Sequence, residues 1–161
     1  MIYFEKNNKR MLGGFTLVEV LISVLILTSG MLVISVLQMK SLSFNQTAYF
    51  NNVANIIGYD MLDRIRSNPV IAVDGSGYRA STGSIPSTYP DNCVDADCTP
   101  EQLASYDVNQ WKFIINEQLP DGDGTIVMTE SREGRVYTIT IFFDDSKGTL
   151  SRRSVVIREG V

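Results

Sequence analysis

The sequence predicts an α+β protein: a long N-terminal α-helix, apolar enough in its first half to span a membrane, whose second half packs on a small antiparallel β-meander head. Three observations carry this expectation. Residues 15–37 form an apolar run, residues 50–65 hold apolar side chains at helical spacing, and residues 135–143 alternate in the two-residue period of a strand.

The run "FTLVEVLISVLILTSGMLVISVL" (15–37) contains one charge and no proline. As a helix it covers about 34 Å, enough for a hydrocarbon core of about 30 Å. The hydroxyls of Thr16, Ser23, Thr28, Ser29 and Ser35 are expected to bond to carbonyls one turn earlier, leaving no polar group stranded. Lys6, Lys9 and Arg10 precede the run against one acid, Glu5, and the acid-rich remainder follows it. The positive-inside rule then puts the N-terminus in the cytoplasm and the C-terminal part outside, with the helix in the inner membrane.

The boundary of this run is unusual. A secretory signal is cut after its apolar core, at small residues. Here the small residues, Gly13 and Gly14, stand before it. Cleavage between Gly14 and Phe15 would leave the whole helix on the mature chain, and glycine lets a membrane-embedded protease approach the backbone. Glu19 lies inside the apolar run. A carboxylate at mid-membrane costs about 2.5–3.5 kcal/mol, less near the interface. A new α-amino group at Phe15, with an ordinary pKa of about 7.7–8.0, would supply a counter-ion, and a helix N-terminus favours an acid. In a bundle, Glu19 of one chain pairing with the amine of its neighbour would fix their axial stagger. The plainer alternative is a signal anchor whose Glu19 snorkels to the headgroups.

The pattern Gly-Phe-Thr-Leu-x-Glu-x-Leu-Ile at 14–22 resembles the class III signal of type IV prepilins and pseudopilins. The resemblance implies a pilin-like fold, cleavage after Gly14 by prepilin peptidase, N-methylation of Phe15, and a role for Glu19 in subunit docking during assembly.

Residues 38–67 contain no proline, and Phe50, Val53, Ala54, Ile57, Met61 and Ile65 make a helical stripe. The helix is expected to run on to Asn68-Pro69 as one element of about 50 residues, or about 75 Å. Gly58 weakens it by about 1 kcal/mol and permits close packing. Four segments result: a cleaved leader (1–14), a transmembrane and assembly helix (15–37), an amphipathic continuation (38–68) and a globular head (69–161).

In the head, residues 70–98 are rich in Gly, Ser, Pro and Asp and read as a long loop with at most one short strand. Its two cysteines, Cys93 and Cys98, read as one disulfide in an exported domain. Thr99-Pro100-Glu101-Gln102 carries an N-cap, a first-turn proline and a capping-box glutamine. Ala104, Val108, Trp111, Ile115 and Leu119 follow as a core-facing stripe, ended by Pro120. Strands are expected over 125–130, 135–145 and 150–159, with turns at "SREG" and "SKGT". Tyr137, Ile139, Ile141 and Phe143 mark one face of the central strand. The helix end "YDMLDRIRSNP", the block "CVDADCTPEQLASYDVNQWKFIINEQLPDG" and the strand "YTITIFFDD" resemble the PilV-type minor pilins, type IV pilus modification proteins.

Chemistry is sparse. The 161 residues include no histidine, which removes imidazole catalysis and histidine-bearing zinc sites. The net charge of −4 disfavours a general nucleic-acid surface. Asp121-Gly122-Asp123-Gly124 opens like a calcium loop but lacks the later ligands, so a plain turn is expected and no metal or other cofactor. Asp144-Asp145 is expected to be a solvated turn, because neighbours on a strand face opposite ways. Arg152 and Arg153 are expected on a solvent face or strand edge. The sequence thus reads as a non-enzymatic minor pilin that takes part in starting the pilus or its tip complex and in adhesion or motility. Its expected partners are prepilin peptidase, other minor pilins, the major pilin and a tip adhesin. The alternatives are a pseudopilin of a type II secretion system, a DNA-uptake pseudopilin using Arg152, Arg153 and Arg158, and a membrane-anchored enzyme working through carboxylates.

Overall fold

A computed structural model describes residues 14–131, 134–146 and 148–161. Most of the leader (1–13) and parts of both hairpin turns, Arg132, Glu133 and Lys147, lie outside them. The chain divides into two compact units between Ser43 and Phe44. Helix α1 (Leu17–Ser67) contributes to both. The second unit adds α2 (Pro69–Asp74), α3 (Pro100–Gln118) and strands β1 (Asp123–Ser131), β2 (Gly134–Phe143) and β3 (Arg153–Gly160).

In the first unit every described residue is exposed, apolar side chains included. The hydroxyls of Ser23, Thr28, Ser29 and Ser35 donate to Glu19, Leu25, Ile26 and Met31 carbonyls at 2.7–3.0 Å. Each of these four hydroxyls is satisfied within the helix, as a lipid environment demands. For Thr16 the carbonyl one turn earlier lies outside the described residues; its hydroxyl accepts from the Glu19 N–H at 3.3 Å, capping the helix start.

In the second unit the sheet is a three-stranded antiparallel meander, β1-β2-β3. Ile139 faces Ile126 on one side and Ile157 on the other, so a single inward row crosses all three strands. Tyr137, Ile139, Ile141 and Phe143 are all buried, and the register places Thr138 and Thr140 on the other face. The core joins this row to Ala54, Ile57, Met61, Leu62 and Ile65 of α1 and to Ala104, Trp111 and Ile115 of α3. Each large apolar side chain buried this completely contributes about 1.5–3 kcal/mol. At Gly58 the helix comes close to β3: a Cβ there would lie 2.4 Å from Ile157 Cδ1. Trp111 joins α3 to α1 by packing and by an Nε1–H bond to the Ile57 carbonyl at 3.2 Å.

The start of α3 follows its sequence signals closely. Thr99 accepts from the Gln102 N–H, and Gln102 returns the bond to the Thr99 N–H. The segment after Asn68 needs correction. Pro69 ends α1 but also opens α2, whose last turn closes at Gly75 with φ 74°. A proline at the first helical position and a left-handed glycine just past the end are start and stop signals for a short helix, not only for a loop. The rest of that segment contributes one bridge, Ala80 to Ile126.

Candidate functional site

The sequence-predicted residues fall in both units, and each group is built locally. At the helix start, Gly14 precedes α1 and Phe15 is 84% exposed. A Cβ on Gly14 would meet nothing within 4 Å among the described residues, so their packing makes no demand for glycine there. Glu19 occupies the first turn of α1. Its N–H donates to both the carbonyl and the hydroxyl of Thr16, at 3.1 and 3.3 Å. Thr16 and Glu19 thus stand in the Thr-x-x-Glu spacing of a capping box, a signal present in the sequence but overshadowed by the apolar run. The Glu19 carboxylate lies beside a positive dipole end and makes no ion pair among the described residues.

In the head, Cys93 and Cys98 stand at disulfide distance, Sγ–Sγ 1.97 Å. The loop that carries them is tied to α3. Tyr89 packs edge-on against Phe113, ring centroids 5.5 Å apart, and its hydroxyl bonds to the Gln110 amide. Gln110 in turn accepts from Arg64, whose guanidinium also holds Asp60 at 2.8 Å and Asp107 at 3.1 Å. The Tyr78 hydroxyl donates to Asp107 at 2.9 Å, and burial together with that carboxylate raises its pKa above the ordinary phenol range.

The acidic pairs take roles different from those expected. Asp123 is not part of a plain turn. It begins β1, is 4% exposed, and pairs with the buried Lys112 ammonium at 2.5 Å. Burial alone would raise its carboxyl. The bond from Lys112 and those from the Gly83 and Gly124 N–H groups outweigh burial and hold it below the usual carboxylate range. Asp121 goes elsewhere, accepting from Arg152 Nε at 2.6 Å. Among the described residues no group of three or more acidic, cysteine or histidine side chains gathers to hold a metal. Asp144 and Asp145 do face different ways, but only Asp144 serves the turn, accepting from the Ser146 N–H at 2.8 Å. The Asp145 side chain is only 8% exposed, not solvated. It accepts from Thr47 of α1 at 2.6 Å and pairs with Arg153 at 2.7 Å. Arg152 and Arg153 are thus each matched by an acid. The buried Lys112 and the half-buried Arg64 escaped the sequence reading because each flanks an apolar stripe by one helical step, where a charged residue ordinarily reaches water.

These features define a class: an α+β subunit in the pilin-like layout, whose N-terminal helix is long and apolar enough to cross a membrane. Residues 36–109 match a Tt1218-like family, described as type IV pilin Tt1218. The match spans just under half of the chain and makes that part similar to type IV pilins. The family and the apolar helix fit membrane anchoring and pilus assembly. The matched residues begin downstream of Gly14, Phe15 and Glu19. No curated protein and no solved structure matches the chain.

Proposed function

We propose that this chain is a minor pilin of a type IV pilus, without enzymatic activity of its own. Prepilin peptidase cuts it between Gly14 and Phe15 and methylates the new amine. Glu19 then pairs with the terminal amine of an adjoining subunit as the helix enters the filament. It works with other minor pilins and the major pilin in starting the pilus or forming its tip complex, with a tip adhesin as a further partner and with adhesion or motility as the outcome. Before assembly it sits in the inner membrane with the head outside, where an oxidising compartment closes Cys93–Cys98.

The observation that carries this reading is the capped helix start. Thr16 orders the first turn and sets Glu19 there. Gly14, by contrast, meets nothing among the described residues that asks for glycine. Such a residue, near a carboxylate without an ion-pair partner among the described residues, suits a site read by another protein. The test is the mass of the N-terminal peptide recovered from assembled pili. A peptide starting at N-methylated Phe15 is the expected result. An intact leader starting at Met1 on assembled, working protein refutes the proposal.

A further inference from the structure

We propose that the head carries a binding groove for an acidic saccharide chain, between the loop at 77–90 and helix α3. A concavity of about 280 Å³ lies there, with Arg79, Ser81 and Ser84 from the loop and Ser105 and Asn109 from α3 on its wall. That volume sits at the lower edge of the small-molecule range of about 300–1,000 Å³. A second, more open depression of about 430 Å³ shares Ser84 and Asn109 and continues along Ile85 and Pro86. The two depressions are adjacent, with Ser84 and Asn109 common to both walls.

The lining states what would fit. Ser105 and Asn109 stand one turn apart on α3, so both present polar groups to the same side. The side chains of Ser81, Ser84, Ser105 and Asn109 are exposed and have no hydrogen-bond partner among the described residues. Hydroxyls and a carboxamide both donate and accept, the match for a polyol. Val108, also on the wall, offers an apolar surface for the C–H face of a ring. The charge balance adds the acid. The Lys112 ammonium is neutralised by Asp123. Arg79 donates its Nε–H to the Gly75 carbonyl at 2.8 Å and forms no ion pair among the described residues. One uncompensated guanidinium in a neutral hydroxyl-rich wall selects a sugar bearing a carboxylate.

The groove is also preformed. Lys112 Nζ donates to the Ser81 carbonyl at 2.5 Å, and the Gly83 N–H donates to Asp123 Oδ2 at 2.8 Å. The Ala80–Ile126 bridge adds a third anchor. A buried ion pair carries a heavy desolvation penalty. Here the pair holds a surface loop still, which lowers the ordering cost of any ligand bound to it.

The test uses the full chain in detergent micelles, titrated calorimetrically with trigalacturonate, maltotriose and sodium acetate. Trigalacturonate is expected to bind at least about tenfold more tightly than maltotriose, a gap of about 1.4 kcal/mol. Asn109→Ala with Ser105→Ala is expected to weaken it about tenfold with unchanged thermal melting, and Arg79→Gln to abolish the preference for the acidic sugar. Failure of trigalacturonate to bind at millimolar concentration overturns the proposal. So does binding that persists when Ser105→Trp fills the groove, equal affinity for maltotriose, or full competition by an equal concentration of acetate.

Discussion

Glu19 and Lys112 are both charges placed where apolar residues prevail, and they answer that problem differently. Lys112 has its partner within the chain. Removing one member of such a buried pair leaves the other uncompensated, at a cost of about 3–5 kcal/mol, whereas replacing both by apolar residues is often neutral. Lys112→Ala is therefore expected to lose that much stability in urea unfolding, and Lys112→Met with Asp123→Leu much less. Glu19 has no such partner among the described residues. Glu19→Ala is expected to leave trimming at Gly14 intact but to reduce incorporation into pili by about tenfold or more, the equivalent of about 1.4 kcal/mol, as counted by immunoblot of sheared filaments. Asp145 gives a pH signature. The hydrogen bond from Thr47, opposed by burial and helped by Arg153, holds its carboxyl below the usual range. A depressed folded-state pKa means stability that is present above the unfolded value, about 3.9, and is lost as pH falls through the folded one. Thr47→Val raises the Asp145 pKa toward the unfolded value. Urea midpoints measured from pH 5 to pH 2.5 should then fall less in the variant than in the parent, from the same onset near the unfolded value.

At the scale of the elements, packing at Gly58 and the turn at Gly122 set the tolerances. A Cβ at Gly58 presses on the tip of the Ile157 side chain, which can swing away. Gly58→Ala is thus expected to change stability by less than about 1 kcal/mol, helped by helix propensity, while Gly58→Leu costs about 1–3 kcal/mol. At Gly122 the obstacle is backbone, the Ile115 carbonyl at 2.3 Å. Gly122→Ala is accordingly expected to be the more damaging of the two alanine variants in thermal melting. The elements themselves were largely legible, for identifiable reasons. The α3 capping box, the β2 alternation and the α1 stripe are each fixed by chemistry local to the element. The short α2 was hidden because proline and glycine mark loops as readily as helix ends. The Lys112–Asp123 and Thr47–Asp145 bonds join residues 11 and 98 positions apart, and no local pattern reports such pairings. Gly14, Phe15 and Glu19 stand out only through a motif, and the proposed role for them lies in recognition by another protein rather than in this chain's packing.

At the scale of the whole molecule, the division between Ser43 and Phe44 separates a helix segment with no core from a unit that encloses its own. A fragment spanning residues 44–161 is expected to remain soluble without detergent and to unfold in a single cooperative transition by circular dichroism. Loss of solubility or a gradual melt would show that the head depends on the preceding helix. The clasp on the loop near Ser81 has a consequence of another kind. Lys112 grips a main-chain oxygen and Asp123 a main-chain N–H. Neither hold uses a side chain of the clasped residues, though Gly83, at φ 87°, is bound to stay glycine. Descendants of this chain are free to redecorate the rest of that rim, one surface residue at a time, while the same two charges keep its scaffold in place.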